Sequence, residues 1–272
     1  MGKDTRAIGV FDSGIGGLTA MRELTALLPN EHIIYFGDTG RVPYGTRSRE
    51  TIIHYSRQNA HFLKSFDVKL LLIACNTASY AALSILQDEL DIPVYGVIED
   101  ASLRAAELSR SHRIGVIATP ATISGHSYRD RLHQLLPDVE VFEQACPLFV
   151  PIVEQGRFSP EDPLVQILTE EYLAPMREAK VDTIILGCTH YPLLTDAIAA
   201  CVPGAALVNS GAEAARAIAA ALQNSDLAAP VDQVGTRRYF VSDSTAQFEQ
   251  NAAMYLRYPL GGSVERIEIE SY

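Results

Sequence analysis

Five short apolar runs limit what this chain can fold into: residues 7–11, 32–36, 69–74, 113–118 and 184–187. Each is too short for a buried helix, and each stops at a small polar residue, a glycine or a cysteine, as buried strands do. Longer stretches with helical spacing lie between them, at 18–28, 51–66, 101–109, 127–136 and 164–179, the last interrupted by Pro175. Residues 93–98, 139–142, 208–210 and 238–242 read as further strands, and 212–222 and 245–255 as further helices. Alternating strands and helices favour a parallel or mixed sheet, and so an α/β fold. Strand, polar loop and helix recur in both halves. The expectation is two similar lobes, each a mostly parallel sheet flanked by helices. Ligands bind at the C-terminal edge of such sheets, which places the site in the cleft between the lobes.

A chain of 272 residues suits one large or two small domains, and 47% hydrophobic with 20% charged residues describes a soluble globular protein. The formal charge of −11 gives no reason to bind nucleic acid or an anionic membrane. An anionic ligand would need local donors, either backbone N–H groups or particular arginines. No apolar stretch reaches transmembrane length, and Met1 to Arg6 is polar with no signal-peptide core. The four cysteines show no C-x-x-C spacing and no dense disulfide pattern, so reduced thiols in the cytoplasm are expected.

Two of those cysteines echo each other. Leu71-Leu72-Ile73-Ala74-Cys75-Asn76-Thr77 and Ile184-Ile185-Leu186-Gly187-Cys188-Thr189-His190 each run from an apolar strand into Cys, small polar residues and a helix-like stretch. A helix N-terminus just after either cysteine would stabilise its thiolate and lower its pKa. A cysteine ending a strand is equally a small hydrophobe, which is the reading for Cys146 and Cys201. Asp12-Ser13-Gly14-Ile15-Gly16-Gly17 lacks the third glycine of a dinucleotide loop, where Thr19 stands, and lacks a phosphate-loop lysine. It fits an anion site at a helix N-terminus, or simply a cap with turn glycines. The loop 37–45 carries three glycines, Pro43 and Tyr44, and reads as a surface loop or a cover over a pocket. His190 suits an acid/base or orienting role better than zinc, since Cys-x-His supplies too few ligands. Glu154 is a carboxylate in an apolar context, either a partner for His190 or an exposed helix-end residue. The four lysines, Lys3, Lys64, Lys69 and Lys180, do not sit in polar loops at strand ends, which argues against a pyridoxal Schiff base. No cofactor and no metal are expected.

Phe11-Asp12-Ser13-Gly14-Ile15-Gly16-Gly17, Gly37-Asp38-Thr39 with Pro43-Tyr44-Gly45, Ala74-Cys75-Asn76-Thr77 and Gly187-Cys188-Thr189-His190-Tyr191-Pro192 occur in the order seen in glutamate racemases. The resemblance covers nearly the whole chain. It implies a cofactor-independent enzyme that interconverts L- and D-glutamate and supplies D-glutamate for peptidoglycan. The implied lobes are 1–98 plus 211–272, the C-terminal tail returning to the first lobe, and 99–210. By motif, Cys75 and Cys188 are the acid/base pair, with Cys188 taking the α-proton from L-glutamate and Cys75 from D-glutamate. Asp12, Glu154 and His190 match polar residues that assist the thiols. Substrate contacts are expected from Asp12, Ser13, Pro43, Tyr44, Gly45, Asn76, Thr77, Thr119, Thr122, Thr189 and His190. The family often pairs its subunits, so a homodimer is expected. The rival readings are a racemase of aspartate or another amino acid, and a non-catalytic sensor of acidic amino acids.

Overall fold

The computed structural model describes residues 4–272, so Lys3 and the polar start at Met1 lie outside the described residues. Through the first half run β1 (Ile8–Asp12), α1 (Leu18–Leu27), β2 (Ile33–Gly37), α2 (Arg49–Lys64), β3 (Leu70–Ile73), α3 (Asn76–Glu89), β4 (Val94–Tyr95) and α4 (Ile98–Leu108). Next come β5 (Arg113–Ala118), α5 (Pro120–Ser124), α6 (Ser127–Leu135), β6 (Glu140–Ala145), α7 (Phe149–Glu154), α8 (Pro163–Glu178), β7 (Thr183–Gly187), α9 (Thr195–Cys201) and β8 (Ala206–Asn209). The chain ends with α10 (Ser210–Gln223), β9 (Arg237–Val241), α11 (Thr245–Leu256) and β10 (Val264–Arg266).

These strands form two sheets, six strands in the order β10-β9-β2-β1-β3-β4 and four in the order β6-β5-β7-β8. Every pairing in both is parallel. The expected α/β fold with two sheets flanked by helices is what the chain adopts. The inner strands β1, β2, β3, β5 and β7 are buried on both faces, which is why they read as unbroken apolar runs rather than alternating ones. Phe11, Leu71, Leu72, Ile73, Val116 and Ile185 have no exposed surface, and each such side chain contributes about 1.5–3 kcal/mol by leaving water.

The topology explains the echo between the halves. In one sheet β1 lies between β2 and β3, and in the other β5 lies between β6 and β7. Strand order reverses at β1 and at β5, and the crevice at such a switch point is where open parallel sheets bind ligands. Cys75 follows β3 and Cys188 follows β7, so the two thiols occupy equivalent places in two similarly wound sheets.

Some elements differ from expectation at their ends. Residues 119–122 are not an open loop: Thr119 caps α5, accepting the Thr122 N–H, and Pro120 takes the first helical position. The strand expected at 93–98 is only two residues long, because α4 starts at Ile98 with Glu99 and Asp100 in its first turn. Pro175 does not interrupt α8, which runs through it. Among the described residues, no helix is long and apolar enough to cross a membrane.

Candidate active site

Register aligns the strand ends that carry the candidate residues. Asp12 pairs with Gly37 and Phe11 with Ile73, which sets Asp12, Asp38 and Cys75 along one sheet edge. Ala118 pairs with both Ala145 and Gly187, which sets Thr119, Cys146 and Cys188 along the other. Between these edges lies a cavity of about 450 Å³. Both thiols line it, with exposures of 5% and 6%, and neither is in a disulfide.

Cys75 caps α3: its sulfur accepts the Ala78 N–H at 3.4 Å and lies 3.5 Å from the Ser13 hydroxyl. A helix N-terminus follows it, as expected, yet its pKa moves the other way. Burial pushes the Cys75 thiol up to about 11, with the charge of Asp12 adding to the rise. Hydrogen bonds from the Ser13 hydroxyl and from the Ser13 and Ala78 N–H groups do not offset the loss of the thiolate's hydration. Cys188 is followed by a 3₁₀ turn at Tyr191–Leu194, with Pro192 inside it, rather than directly by an α-helix. Its thiol lies well above the ordinary range, chiefly through burial, while the His190 N–H opposes the rise.

His190 lies between Cys188 and Glu154. Its Nδ1 is 3.9 Å from the Cys188 sulfur and its Nε2 is 3.0 Å from Glu154 Oε1. Short α7, entered through Pro147, brings Glu154 to this pairing. Asp12 is fully buried behind Ser13, and its carboxylate accepts the Gly14 N–H at 3.0 Å. Burial raises its pKa, with the nearby His190 pulling it back down.

The two motif loops also touch across the lobes. Thr19 donates its hydroxyl to Thr189 O at 2.8 Å, and Thr189 Oγ1 lies 3.5 Å from Asp12. Gly16 permits this approach, because a Cβ there would stand 2.4 Å from Thr189 Oγ1 and 2.5 Å from His190 Cε1. Asn76 donates to Ser210 Oγ at 3.2 Å and accepts from the Tyr128 hydroxyl. Thr77 Oγ1 is 3.0 Å from Thr119 Oγ1 and 3.2 Å from Thr122 Oγ1.

Ser13, Pro43, Tyr44, Gly45, Asn76, Thr77, Thr119, Glu154, Thr189 and His190 line the cavity with the two cysteines. Asp12 and Thr122 do not; they sit behind Ser13 and Thr119. Sequence reasoning missed the apolar wall of Val42, Pro147, Val150 and Pro151, and it gave Cys146 to packing although that residue lines the cavity too. Its Cys146-Pro147 pair just after a strand end was the available signal. It also missed Tyr255 of α11, whose ring stands perpendicular to His190 with centroids 5.6 Å apart. No local pattern links a residue so late in the chain to the site.

Among the described residues, the lining contains no lysine or arginine. Arg41, beside the 42–46 wall, spends its guanidinium on Asp38 at 2.8 Å, on Asn59 at 3.0 Å and over the Tyr55 ring. Hydroxyls, backbone N–H groups, the side-chain amides of Asn76 and Gln155 and the His190 ring are therefore the donors available to an anionic ligand. No group of three or more His, Cys, Asp or Glu among the described residues is placed to hold a metal.

The family model for the Asp/Glu/Hydantoin racemases matches residues 8–249. The glutamate racemase of Geobacter metallireducens is 47% identical, covering 98% of each chain. That of Syntrophus aciditrophicus is 43% identical over 96% of each. The crystal structure of glutamate racemase from Francisella tularensis, in complex with D-glutamate, superposes with a TM-score of 0.92 at 38% identity. It covers 99% of this chain and 100% of that one. The ordered motifs, the paired parallel sheets and these relatives agree, and the chain belongs to the Asp/Glu/hydantoin racemase family.

Proposed function

We propose that the protein interconverts L- and D-glutamate with Cys75 and Cys188 as two opposed bases. The observation that carries this reading is the placing of two reduced, buried thiols on opposite sheet edges of one cavity, each with its own polar partners. The relatives named above support glutamate as the substrate.

Removing the α-proton of an amino acid is difficult because the carbanion is poorly stabilised. A thiolate on one face takes that proton and becomes a thiol; the opposite thiol gives up its own proton to the other face and becomes a thiolate. The centre inverts while the substrate stays in place. Raised thiol pKa values help here, since a more basic thiolate narrows the gap to a weak carbon acid. The same rise makes the resting thiolate scarce, so the pair titrates as a coupled unit. Cys188 draws on His190 and Glu154, and Cys75 on Ser13 and Asp12. The substrate carboxylates are held by hydroxyls and N–H groups of the 43–45, 76–77, 119 and 189–190 segments, around thiols that are themselves only 5% and 6% exposed. By this reading Cys188 acts on L-glutamate and Cys75 on D-glutamate.

The reading divides the chain into a lobe of 1–98 plus 211–272 and a lobe of 99–210. It sets the reaction in the cytoplasm, supplying D-glutamate to peptidoglycan. A homodimer belongs to it as well and is checked by light scattering. The central test incubates the purified protein with L-glutamate in deuterium oxide. Loss of optical rotation with deuterium entering the α-position is expected. No loss with glutamate, but loss with aspartate, would replace it with the rival substrate.

A further inference from the structure

We propose that Tyr255, on the C-terminal helix α11, is a positioning residue that holds the His190 ring in line with the Cys188 sulfur and so acts chiefly on one face of the substrate. This rests on the two-thiol reading above. His190 has two polar partners, Cys188 at 3.9 Å and Glu154 at 3.0 Å. The first contact is long, and the Glu154 side chain is 42% exposed, so water competes for the second. The terminal torsion of histidine is broad, and a modest rotation about it swings Nδ1 off the sulfur. Packing has to set the ring.

Two contacts do so. The backbone at Gly16 lies so close that a Cβ would meet the ring at 2.5 Å. The Tyr255 ring stands at 88° to it, itself wholly buried. Arg22 of α1 donates to Tyr255 O at 3.4 Å, which ties the end of α11 to the helix that follows the Asp12 turn. The Tyr255 hydroxyl is buried without a hydrogen-bond partner. An unpartnered hydroxyl costs stability, so the ring, not the oxygen, is the working part. Cys75 has no imidazole beside it; Ser13 and the start of α3 hold it instead, and His190 reaches it only through the field it exerts on Asp12. Tyr255 therefore acts chiefly on the Cys188 face.

A racemase has an equilibrium constant of unity, so kcat/KM must match in both directions whatever is substituted. The asymmetry shows in isotope effects instead. Full-length Tyr255→Phe and Tyr255→Met are assayed with α-deuterated L- and D-glutamate. The phenylalanine variant should keep kcat within about twofold, a change of under ~1 kcal/mol. The methionine variant should lose about tenfold to a hundredfold in kcat, the scale expected of a small misplacement. Its isotope effect should grow with deuterated L-glutamate, whose proton goes to Cys188, and shrink with deuterated D-glutamate. Unchanged kcat in the methionine variant, equal changes in both isotope effects, or a phenylalanine variant as impaired as the methionine one would each overturn the assignment. If Tyr255→Met does not unfold cooperatively, Tyr255→Trp replaces it, its larger ring displacing His190. The same asymmetric isotope pattern is then expected, and a symmetric one overturns the assignment. Absence of racemisation by the unsubstituted protein would overturn the two-thiol reading itself, whereas symmetric isotope effects in the variants would remove only the role of Tyr255.

Discussion

Cys75 and Cys188 owe their raised pKa values chiefly to the same cause, a site dry enough to penalise charge. That rise can be read as stability. Between the ordinary thiol value of 9.0 and about 11, the folded chain keeps a proton on Cys75 that the unfolded chain has released. The stability this confers is present below 9.0 and lost as pH climbs through that window. Urea denaturation midpoints should fall across it in the unsubstituted protein and fall less in Cys75→Ala, which should also lack racemase activity while remaining folded. A parallel slope in the two proteins would refute the assignment. Asp12 behaves alike at lower pH. Its raised pKa means that the folded state loses stability as pH rises above the ordinary carboxylate value of 3.8. Asp12→Asn should therefore unfold at a higher temperature than the unsubstituted protein at neutral pH, with the gap closing on acidification. It should also racemise roughly a hundredfold more slowly if Asp12 assists Cys75 in proton transfer. Melting curves at several pH values and a rate assay check both halves.

Legibility from sequence follows from how local the cause of each element is. The inner strands were readable because burial on both faces leaves unbroken apolar runs, as at Ile8, Val10, Leu71 and Ile185, whereas the short, exposed edge strand β10 at Val264–Arg266 carries no such run and was not anticipated. The cysteines, His190 and the 43–45 loop were readable because each sits just past a strand end, where ligand-binding loops belong. What could not be read depends on contacts far apart in the chain. The pKa direction of Cys75 turned on how deeply the lobes bury it, and the start of the following helix gave the wrong sign. The tilt that brings Tyr255 to His190, and the apolar wall at Val150, need the fold to be assembled first. Gly16 is the sharpest case. In sequence it is one turn glycine among three in Asp12–Gly17, but in the fold it lets the β1–α1 turn meet the Thr189–His190 segment. Gly16→Ala should cost about 1–3 kcal/mol of stability, the range for forced overpacking, and should lower kcat more than Cys146→Ala does. Urea unfolding and steady-state rates measure both, and a fully stable, fully active alanine variant would show that the two loops have room to part.

On the scale of the molecule, the lobes are joined at the site by hydroxyls and one amide rather than by ion pairs. Asn76 bridges to Ser210 and Tyr128, and Thr77 to Thr119 and Thr122, so ligand and lobe contacts share the same short segments. The site thus meets an anionic substrate with neutral donors inside a protein of net charge −11. Glutamate at neutral pH carries one net negative charge, so the long-range field opposes its approach while the short-range donors capture it. Salt separates the two contributions. Raising ionic strength from about 0.01 M to 0.15 M shortens the screening length from about 30 Å to about 8 Å, which weakens the repulsion and leaves buried hydrogen bonds nearly untouched. KM for glutamate should therefore fall, by no more than a few-fold, while kcat stays level. Initial rates across a potassium chloride series measure this. A KM that rises with salt would mean that a cation reaches the substrate after all, with Arg41 leaving Asp38 as the first candidate.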